Sequence, residues 1–238
     1  MTAMLPIVLV HGGMHGGWCW KRMRPLLAAA GHEVHTPTLT GLGDRSHLAS
    51  PEIGLDTHIE DIARFIEWEE MERVILIGHS YAGMVISGVA DRMPERIAQL
   101  VYLDALAPRD GECAADIVSR GVDFQELRDK MLPPMAGYDF GLTKTEDIAW
   151  VRRRIVPQSA RTVLQRLHLQ NDPAAIPRSF IACTMEVAGP VTGLAERAQQ
   201  LAHDPDWFHR TLQAGHDCMI SHPEETAQAL LAVIHRDG

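Results

Sequence analysis

The sequence predicts an α/β fold in which a mostly parallel sheet is flanked by helices and carries an inserted helical lid. Two observations lead to this class. Short apolar runs alternate with helical patterns in the first half of the chain, and the alternation returns after a long interruption. Strands covered by helices on both faces are continuously apolar in sequence. With 238 residues, of which 46% are hydrophobic and 22% charged, the chain is long enough to bury such a core.

Four short runs in the first half of the chain have the character of strands. Three of them are continuously apolar, as expected for a sheet that is buried on both faces. The predicted strands are Ile7–Val10, Glu33–His35, Val74–Ile77 and Leu100–Leu103. Their spacing leaves room for one helix between successive strands, which is the arrangement of βαβ units.

The segments between these strands carry helical signals. One helix is predicted over residues 20–30, and Gly31 is well placed to end it in the left-handed conformation. Thr57 and Glu60 match a capping box, and apolar residues recur at helical spacing behind them. Another helix, made of small residues, is predicted soon after Gly78.

The strand pattern stops over residues 108–177, where several prolines separate short amphipathic pieces. Such a stretch is too long for a plain connection, so we expect an inserted lid subdomain there. Residues 1–107 and 178–238 then form the core domain. The elements expected after the lid are strands at Phe180–Cys183 and Trp207–Leu212 and a helix from Pro223.

Composition argues against several classes of function. The formal net charge is −9 without long runs of like charge, which disfavours nucleic acid and anionic membranes as partners. No basic, apolar leader and no membrane-length apolar run is present, so cytoplasmic residence is expected. The four cysteines lack metal-site spacing, and His11 and His15 lie in a glycine-rich segment that would not hold a helix. No metal or other cofactor is therefore expected.

The strongest signal for chemistry is the run Gly78-His79-Ser80-Tyr81-Ala82-Gly83, between an apolar strand and a small-residue helix. A sharp strand-to-helix turn of this kind projects a serine hydroxyl outward as a nucleophile. Small neighbours are needed because backbone crowds such a turn. Ala82 departs from the strict G-x-S-x-G pattern but is small enough for the same approach. Ser80 is therefore the predicted nucleophile.

A serine hydroxyl needs a base and an acid that orients that base. His216 follows the last predicted strand and precedes the final helix, the place where a base is delivered when the chain order is serine, acid, histidine. Two carboxylates compete for the acid. Glu186 follows the penultimate strand, which is the commoner place for the acid. Asp104 is favoured because a short side chain at a rigid strand end is better fixed than a glutamate on a loop.

The oxyanion formed by attack on a carbonyl needs fixed N–H donors. We expect one from the backbone of Tyr81 and the other from the glycine-rich loop after the first strand, at Gly13. A phosphate-binding loop is the alternative, but the G-x-G-x-x-G spacing and an acidic partner are both missing. The lid should supply an apolar pocket. Its candidate wall residues, each of which could instead be lid core, are Phe124, Met131, Met135 and Trp150.

With these residues identified, the chain resembles the plant methyl esterase and hydroxynitrile lyase branch of the α/β-hydrolases. The resemblance implies the α/β-hydrolase fold, with Ser80 and His216 as nucleophile and base. It also sets Glu186 where the family's aspartate lies, whereas the position of Asp104 is usually not acidic in the family. The likeness fades in the lid, and the residues that carry it lie at 8–18, 26–34, 74–83 and 180–184.

The lyase activity of that branch is disfavoured here. Its lyases carry a threonine and a lysine where this chain has Gly12 and Asp217. The sequence therefore predicts a cofactor-free hydrolase that cleaves a small or medium carboxylic ester through an acyl-enzyme on Ser80. An amide, carbamate or lactone hydrolase with the same residues is an alternative, and so is a small-ligand receptor without turnover. The expected partner is a small ester-like molecule, and a homodimer is left open.

Overall fold

The computed structural model describes residues 4–118, 125–135, 137–171, 175–185 and 192–236. The strands in this part of the chain are β1 (Ile7–Val10), β2 (Val34–His35), β3 (Val74–His79), β4 (Ile97–Leu103), β5 (Met131–Leu132), β6 (Gln158–Ser159), β7 (Arg178–Cys183) and β8 (Trp207–Leu212). Six of them form one parallel sheet in the order β2-β1-β3-β4-β7-β8. The predicted class, a parallel sheet flanked by helices, is confirmed.

Helices cover both faces of this sheet. They are α1 (Met23–Ala29), α2 (Leu55–Trp68), α3 (Ala82–Arg92), α4 (Ala114–Val118), α5 (Thr145–Arg152), α6 (Arg161–Leu164), α7 (Thr192–Leu201), α8 (Cys218–Ser221) and α9 (Pro223–Ile234). No helix in the described ranges combines the length and the apolar character needed to cross a membrane.

Strand β1 shows why the buried strands are continuously apolar. Its side chains point alternately to the two faces. Ile7 and Leu9 pack with α1 and α9, whereas Val8 and Val10 pack with α2 and α3. All four side chains are fully buried. A strand with a polar position in its middle would leave that group without water on either face, so the sequence has no alternation here.

Helix α2 begins elsewhere than the sequence suggests. The predicted capping box is wrong, because Thr57 and Glu60 lie inside the helix, which starts at Leu55 without a local side-chain cap. A residue far along the chain serves the first turn instead. The side-chain oxygen of Gln165 accepts the Asp56 N–H at 3.3 Å, and its amide donates to the Asp56 carboxylate at 2.5 Å.

The segment 108–177 contains three of these helices, α4, α5 and α6, and a two-stranded antiparallel sheet. Met131 of β5 pairs with Ser159 of β6, and Leu132 pairs with Gln158. These strands have two residues each, too few to show a period in the sequence. The division of the chain into a core and a lid at residues 107 and 178 remains a prediction.

Candidate active site

Ser80 stands at the sharp turn between β3 and α3. Its φ of +55° lies in the left-handed region, where a residue other than glycine is strained. The Ser80 carbonyl accepts hydrogen bonds from the N–H groups of Gly83 at 3.1 Å and Leu106 at 2.9 Å. A Cβ at position 83 would overlap the Leu106 carbonyl oxygen. The glycine that this turn requires is therefore Gly83, which explains why Ala82 is tolerated.

Three side chains from three segments meet at the carboxyl edge of the sheet. Ser80 Oγ lies 2.9 Å from His216 Nε2, and His216 Nδ1 lies 2.6 Å from Asp104 Oδ2. Strands β3 and β4 are parallel neighbours with His79 opposite Leu103, so the residues that follow them emerge side by side. A carboxylate oxygen only accepts, so His216 donates from Nδ1 and its Nε2 can accept the serine proton.

Asp104 is fixed through both oxygens of its side chain. Besides the bond to His216, its Oδ1 accepts the Cys183 N–H at 3.0 Å. Its own N–H donates to the Ile181 carbonyl at 2.7 Å, which anchors it to β7. Of the two candidate acids, Asp104 is therefore the one that the structure places against the imidazole. Glu186 lies outside the described residues.

His79, just before Ser80, supports the loop that carries His216. Its Nε2–H donates to the His216 carbonyl at 2.9 Å, and the two rings lie 4.6 Å apart. Burial lowers the pKa of His79 to about 3. The ring is therefore neutral at ordinary pH, and it fixes the backbone of His216 without adding a charge beside it.

Two backbone N–H groups next to Ser80 are available for an oxyanion. Within the described ranges, neither the Gly13 N–H nor the Tyr81 N–H donates to another protein group. A Cβ built on Gly13 would lie 3.7 Å from the Cβ of Tyr81, so the two residues are neighbours. Backbone N–H groups without a protein acceptor are uncommon in folded proteins. Two of them beside a serine are the donors that an oxyanion hole requires.

The side chain of Tyr81 is held by a buried histidine. Its hydroxyl donates to Nδ1 of His58 at 3.0 Å, and Nε2–H of His58 donates to the Thr40 carbonyl at 3.0 Å. Burial lowers the pKa of His58 to about 4, so its ring is neutral and its Nδ1 accepts. These bonds fix the residue whose backbone N–H is one of the two candidate donors.

An apolar cavity of about 340 Å³ opens at Ser80, His216, Gly13 and Tyr81. Most of its wall comes from the segment 108–177. The apolar wall residues include Ala114, Val118, Leu132, Met135, Val163 and Leu194. The side chain of Gln158 adds one polar group close to Gly13, since a Cβ at Gly13 would lie 2.8 Å from Gln158 Oε1.

The predicted pocket residues divide into three groups. Met135 lines the cavity, whereas Met131 lies in β5 and is not part of its wall. Trp150 lies elsewhere, edge-on to Trp18 at 5.1 Å and with the guanidinium of Arg154 5.0 Å above its ring. Trp150 thus packs against Trp18 and is not among the residues that line the cavity. Phe124 lies outside the described residues.

The histidines of the glycine-rich loop have structural partners on both nitrogens. His11 donates from Nδ1 to the Gly12 carbonyl at 2.8 Å and accepts the Leu39 N–H on Nε2 at 3.1 Å. Burial lowers the pKa of His11 to about 3.

His15 donates from Nδ1 to the Gly13 carbonyl at 2.7 Å and from Nε2 to the Asp217 carboxylate at 3.0 Å. A ring that donates from both nitrogens is protonated.

The pair of His15 and Asp217 is a buried ion pair that the sequence did not reveal. Burial alone would lower the pKa of His15, but the carboxylate outweighs it and the pKa is raised. Burial likewise opposes ionisation of Asp217, but the charge and hydrogen bond of His15, with smaller contributions from other histidines nearby, outweigh it and that pKa is lowered. The two residues are about 200 positions apart in sequence, and no local pattern joins them. The sequence does not single out Gln158 either, because its segment has no recognisable motif.

A family model and curated relatives both match this chain over most of its length. The model of the alpha/beta hydrolase family matches residues 7–229. The carbendazim hydrolyzing esterase of Nocardioides sp. is 37% identical over 97% of this chain and all of its own length. Salicylic acid-binding protein 2 of Nicotiana tabacum is 26% identical over 96% of each chain.

Solved structures show the same fold. An extracellular alpha/beta-hydrolase from a Paenibacillus species superimposes with a TM-score of 0.84 at 22% identity, over 97% of this chain and 99% of its own. The predicted fold and the predicted esterase class are confirmed: this chain belongs to the alpha/beta hydrolase family.

Proposed function

We propose that the protein hydrolyses small or medium carboxylic esters through an acyl-enzyme on Ser80. The observation that carries this proposal is the hydrogen-bonded line from Asp104 through His216 to Ser80. That line ends at an apolar cavity beside two unpaired backbone donors, Gly13 and Tyr81. Nucleophile, base, orienting acid and oxyanion donors are the parts that acyl transfer requires.

In the first half-reaction, Ser80 Oγ attacks the ester carbonyl carbon while His216 Nε2 takes its proton. The carbonyl electron pair moves to oxygen, and the resulting oxyanion accepts hydrogen bonds from the N–H groups of Gly13 and Tyr81. Asp104 keeps the proton on His216 Nδ1 and stabilises the imidazolium. The imidazolium then protonates the leaving alkoxide, the C–O bond breaks, and the acyl group remains on Ser80.

In the second half-reaction, water replaces the alcohol. His216 Nε2 takes a proton from this water as its oxygen attacks the acyl carbon, and the same donors hold the second oxyanion. Collapse of that intermediate returns the proton to Ser80 Oγ and releases the carboxylic acid. Each fixed oxyanion donor is typically worth about 3–4 kcal/mol in the transition state.

The cavity limits the substrate to a molecule with one compact apolar group next to the ester. A volume of about 340 Å³ lined by alanine, valine, leucine and methionine side chains suits a short acyl chain or an aromatic ring. The 37% identical relative is named for hydrolysis of carbendazim. We therefore include carbendazim among the compounds to be tested on this protein.

The test compares turnover of p-nitrophenyl acetate and butyrate by the native protein and by Ser80→Ala. We expect turnover to fall to background in the variant. Ser87→Ala is the matched control, because Ser87 is a buried serine on α3 that bonds Gly83 and Tyr102 and not His216. Equal turnover in the native protein and Ser80→Ala would show that Ser80 is not the nucleophile.

The same assay separates the other activities that this machinery supports. Methyl esters, aryl carbamates, anilides and lactones are offered in parallel, and the ratio of kcat/KM values identifies the preferred bond. A receptor without turnover would bind apolar esters and hydrolyse none of them. Labelling by a fluorophosphonate, with peptide mapping of the adduct to Ser80, would then show whether the serine is still activated.

A further inference from the structure

The loop that carries Gly13 is held by a distant segment of the chain. Met14 has a φ of +62°, unusual for a residue with a side chain. Its N–H donates to Gln158 Oε1 at 2.7 Å, and its carbonyl accepts the Val156 N–H at 3.0 Å. Both backbone groups of this strained residue are thus bonded to residues 156–158, more than 140 positions further along the chain.

Gln158 is itself locked in one orientation. Its side chain is buried, and its Nε2 donates to Thr162 Oγ1 at 2.6 Å. The Thr162 hydroxyl donates in turn to the Ser159 carbonyl at 2.7 Å, so it must accept from Gln158. The amide nitrogen is therefore committed to Thr162, and the oxygen must face Met14.

The same peptide unit is fixed at its other end. The Gly13 carbonyl accepts the Nδ1–H of His15 at 2.7 Å, and His15 is held by Asp217 at 3.0 Å. The peptide plane between Gly13 and Met14 is therefore bonded at C=O by His15 and at N–H by Gln158. Because glycine has the widest backbone freedom of any residue, the direction of the Gly13 N–H depends on this fixation.

We infer that Gln158 is a positioning residue that aims the Gly13 N–H at the oxyanion. This inference rests on the proposed function of Ser80. Gln158 acts through the loop: its oxygen bonds the Met14 N–H and orients the donor one residue earlier. Gln158 thus supports the reacting loop as well as lining the cavity.

The experiment replaces Gln158 by methionine, which has nearly the same length but no oxygen acceptor. Removal of a whole oxyanion donor costs about 100- to 1,000-fold in kcat. Misdirecting one donor should therefore lower kcat on p-nitrophenyl acetate by about 10- to 100-fold, with KM changed less than about threefold. An alkylboronic acid, which forms a tetrahedral anion on Ser80, should bind more weakly by a similar factor.

Matched variants separate positioning from packing. Gln165→Met makes the same substitution at a glutamine that bonds Asp56 and lies neither in the cavity wall nor in the loop, so it should leave kcat, KM and boronate affinity near the native values. Gln158→Asn keeps the amide but withdraws its oxygen by one methylene, and it should reproduce the selective loss of kcat. Near-UV circular dichroism checks that each variant is folded, and the asparagine variant decides the question if the methionine variant does not fold.

The outcomes distinguish this inference from the proposed function. Loss of turnover in Ser80→Ala with native kcat and boronate affinity in a folded Gln158 variant would overturn the positioning role alone. A rise in KM with unchanged kcat would assign Gln158 to substrate binding and would also overturn it. Turnover that persists in Ser80→Ala would refute the proposed function itself.

Discussion

Mild acid should destabilise this protein because three buried histidines are neutral in the folded state. Burial lowers the pKa of His11 to about 3, of His58 to about 4 and of His79 to about 3. In the unfolded chain each imidazole takes up a proton near its ordinary pKa of about 6.5. The stability that these groups contribute is therefore present above pH 6.5 and is lost as the pH falls towards their folded-state values.

The size of this loss follows from proton linkage. Between pH 6.5 and 5.5, each of the three histidines costs about 1 kcal/mol of the free energy of unfolding, or about 3 kcal/mol together. His15 acts in the opposite direction, because the Asp217 carboxylate raises its pKa and so favours its protonated form in the folded state. By proton linkage, a raised pKa of any size can add at most about 0.4 kcal/mol of stability over this interval. The net expectation is a loss of about 2–3 kcal/mol.

The assay is urea unfolding followed by circular dichroism at the two pH values. His58→Gln retains a donor for the Thr40 carbonyl and an acceptor for the Tyr81 hydroxyl. The fall in stability should shrink by about 1 kcal/mol in this variant. His47→Gln removes an exposed histidine that meets water in both states, and it should leave the fall unchanged. Equal stability at both pH values, or an unchanged fall in His58→Gln, would refute the reasoning.

Three further predictions follow from contacts at the candidate site. Asp104→Asn should lower kcat by about 10⁴-fold without unfolding the protein, because the amide no longer holds the His216 tautomer, as steady-state kinetics would show. Asp217→Asn should lower the free energy of unfolding by about 1–3 kcal/mol, since it removes the ionic partner of His15, whose buried ring then loses its proton; urea titration at pH 7 measures this. Gly83→Ala should lower Tm and abolish turnover together, because its Cβ would overlap the Leu106 carbonyl oxygen.

The parts that the sequence predicts well are those that depend on short range. Burial on both faces makes β1 and the first four residues of β3 continuously apolar, so a few residues are enough to locate these strands in the sequence. The strained turn at Ser80 demands small neighbours within three positions. The parallel topology then brings the site residues together, because residues that follow neighbouring parallel strands emerge side by side. That is why Asp104 and Ser80 could be predicted to lie near each other.

The parts that the sequence does not predict depend on partners far along the chain. The first turn of α2 is served by Gln165, 109 residues away, and no local cap marks its start. Trp150 carries the same apolar signal as a pocket residue, but α5 directs it towards Trp18 and Arg154. Gln158 and the pair of His15 and Asp217 are polar groups whose meaning depends on burial and on distant acceptors, neither of which leaves a local pattern.

The two hydrogen bonds that hold the backbone of Met14 limit how the substrate specificity of such a protein can change. Most of the cavity wall belongs to one continuous stretch, so exchanging that stretch between relatives is an obvious route to a new specificity. Such an exchange would also disturb the active site, because residues 156–158 lie within that stretch and form hydrogen bonds with Met14 in the loop that carries Gly13. A transplanted segment would have to bring its own acceptor for the Met14 N–H and its own donor for the Met14 carbonyl. Grafts that lack them should bind new esters and turn them over slowly.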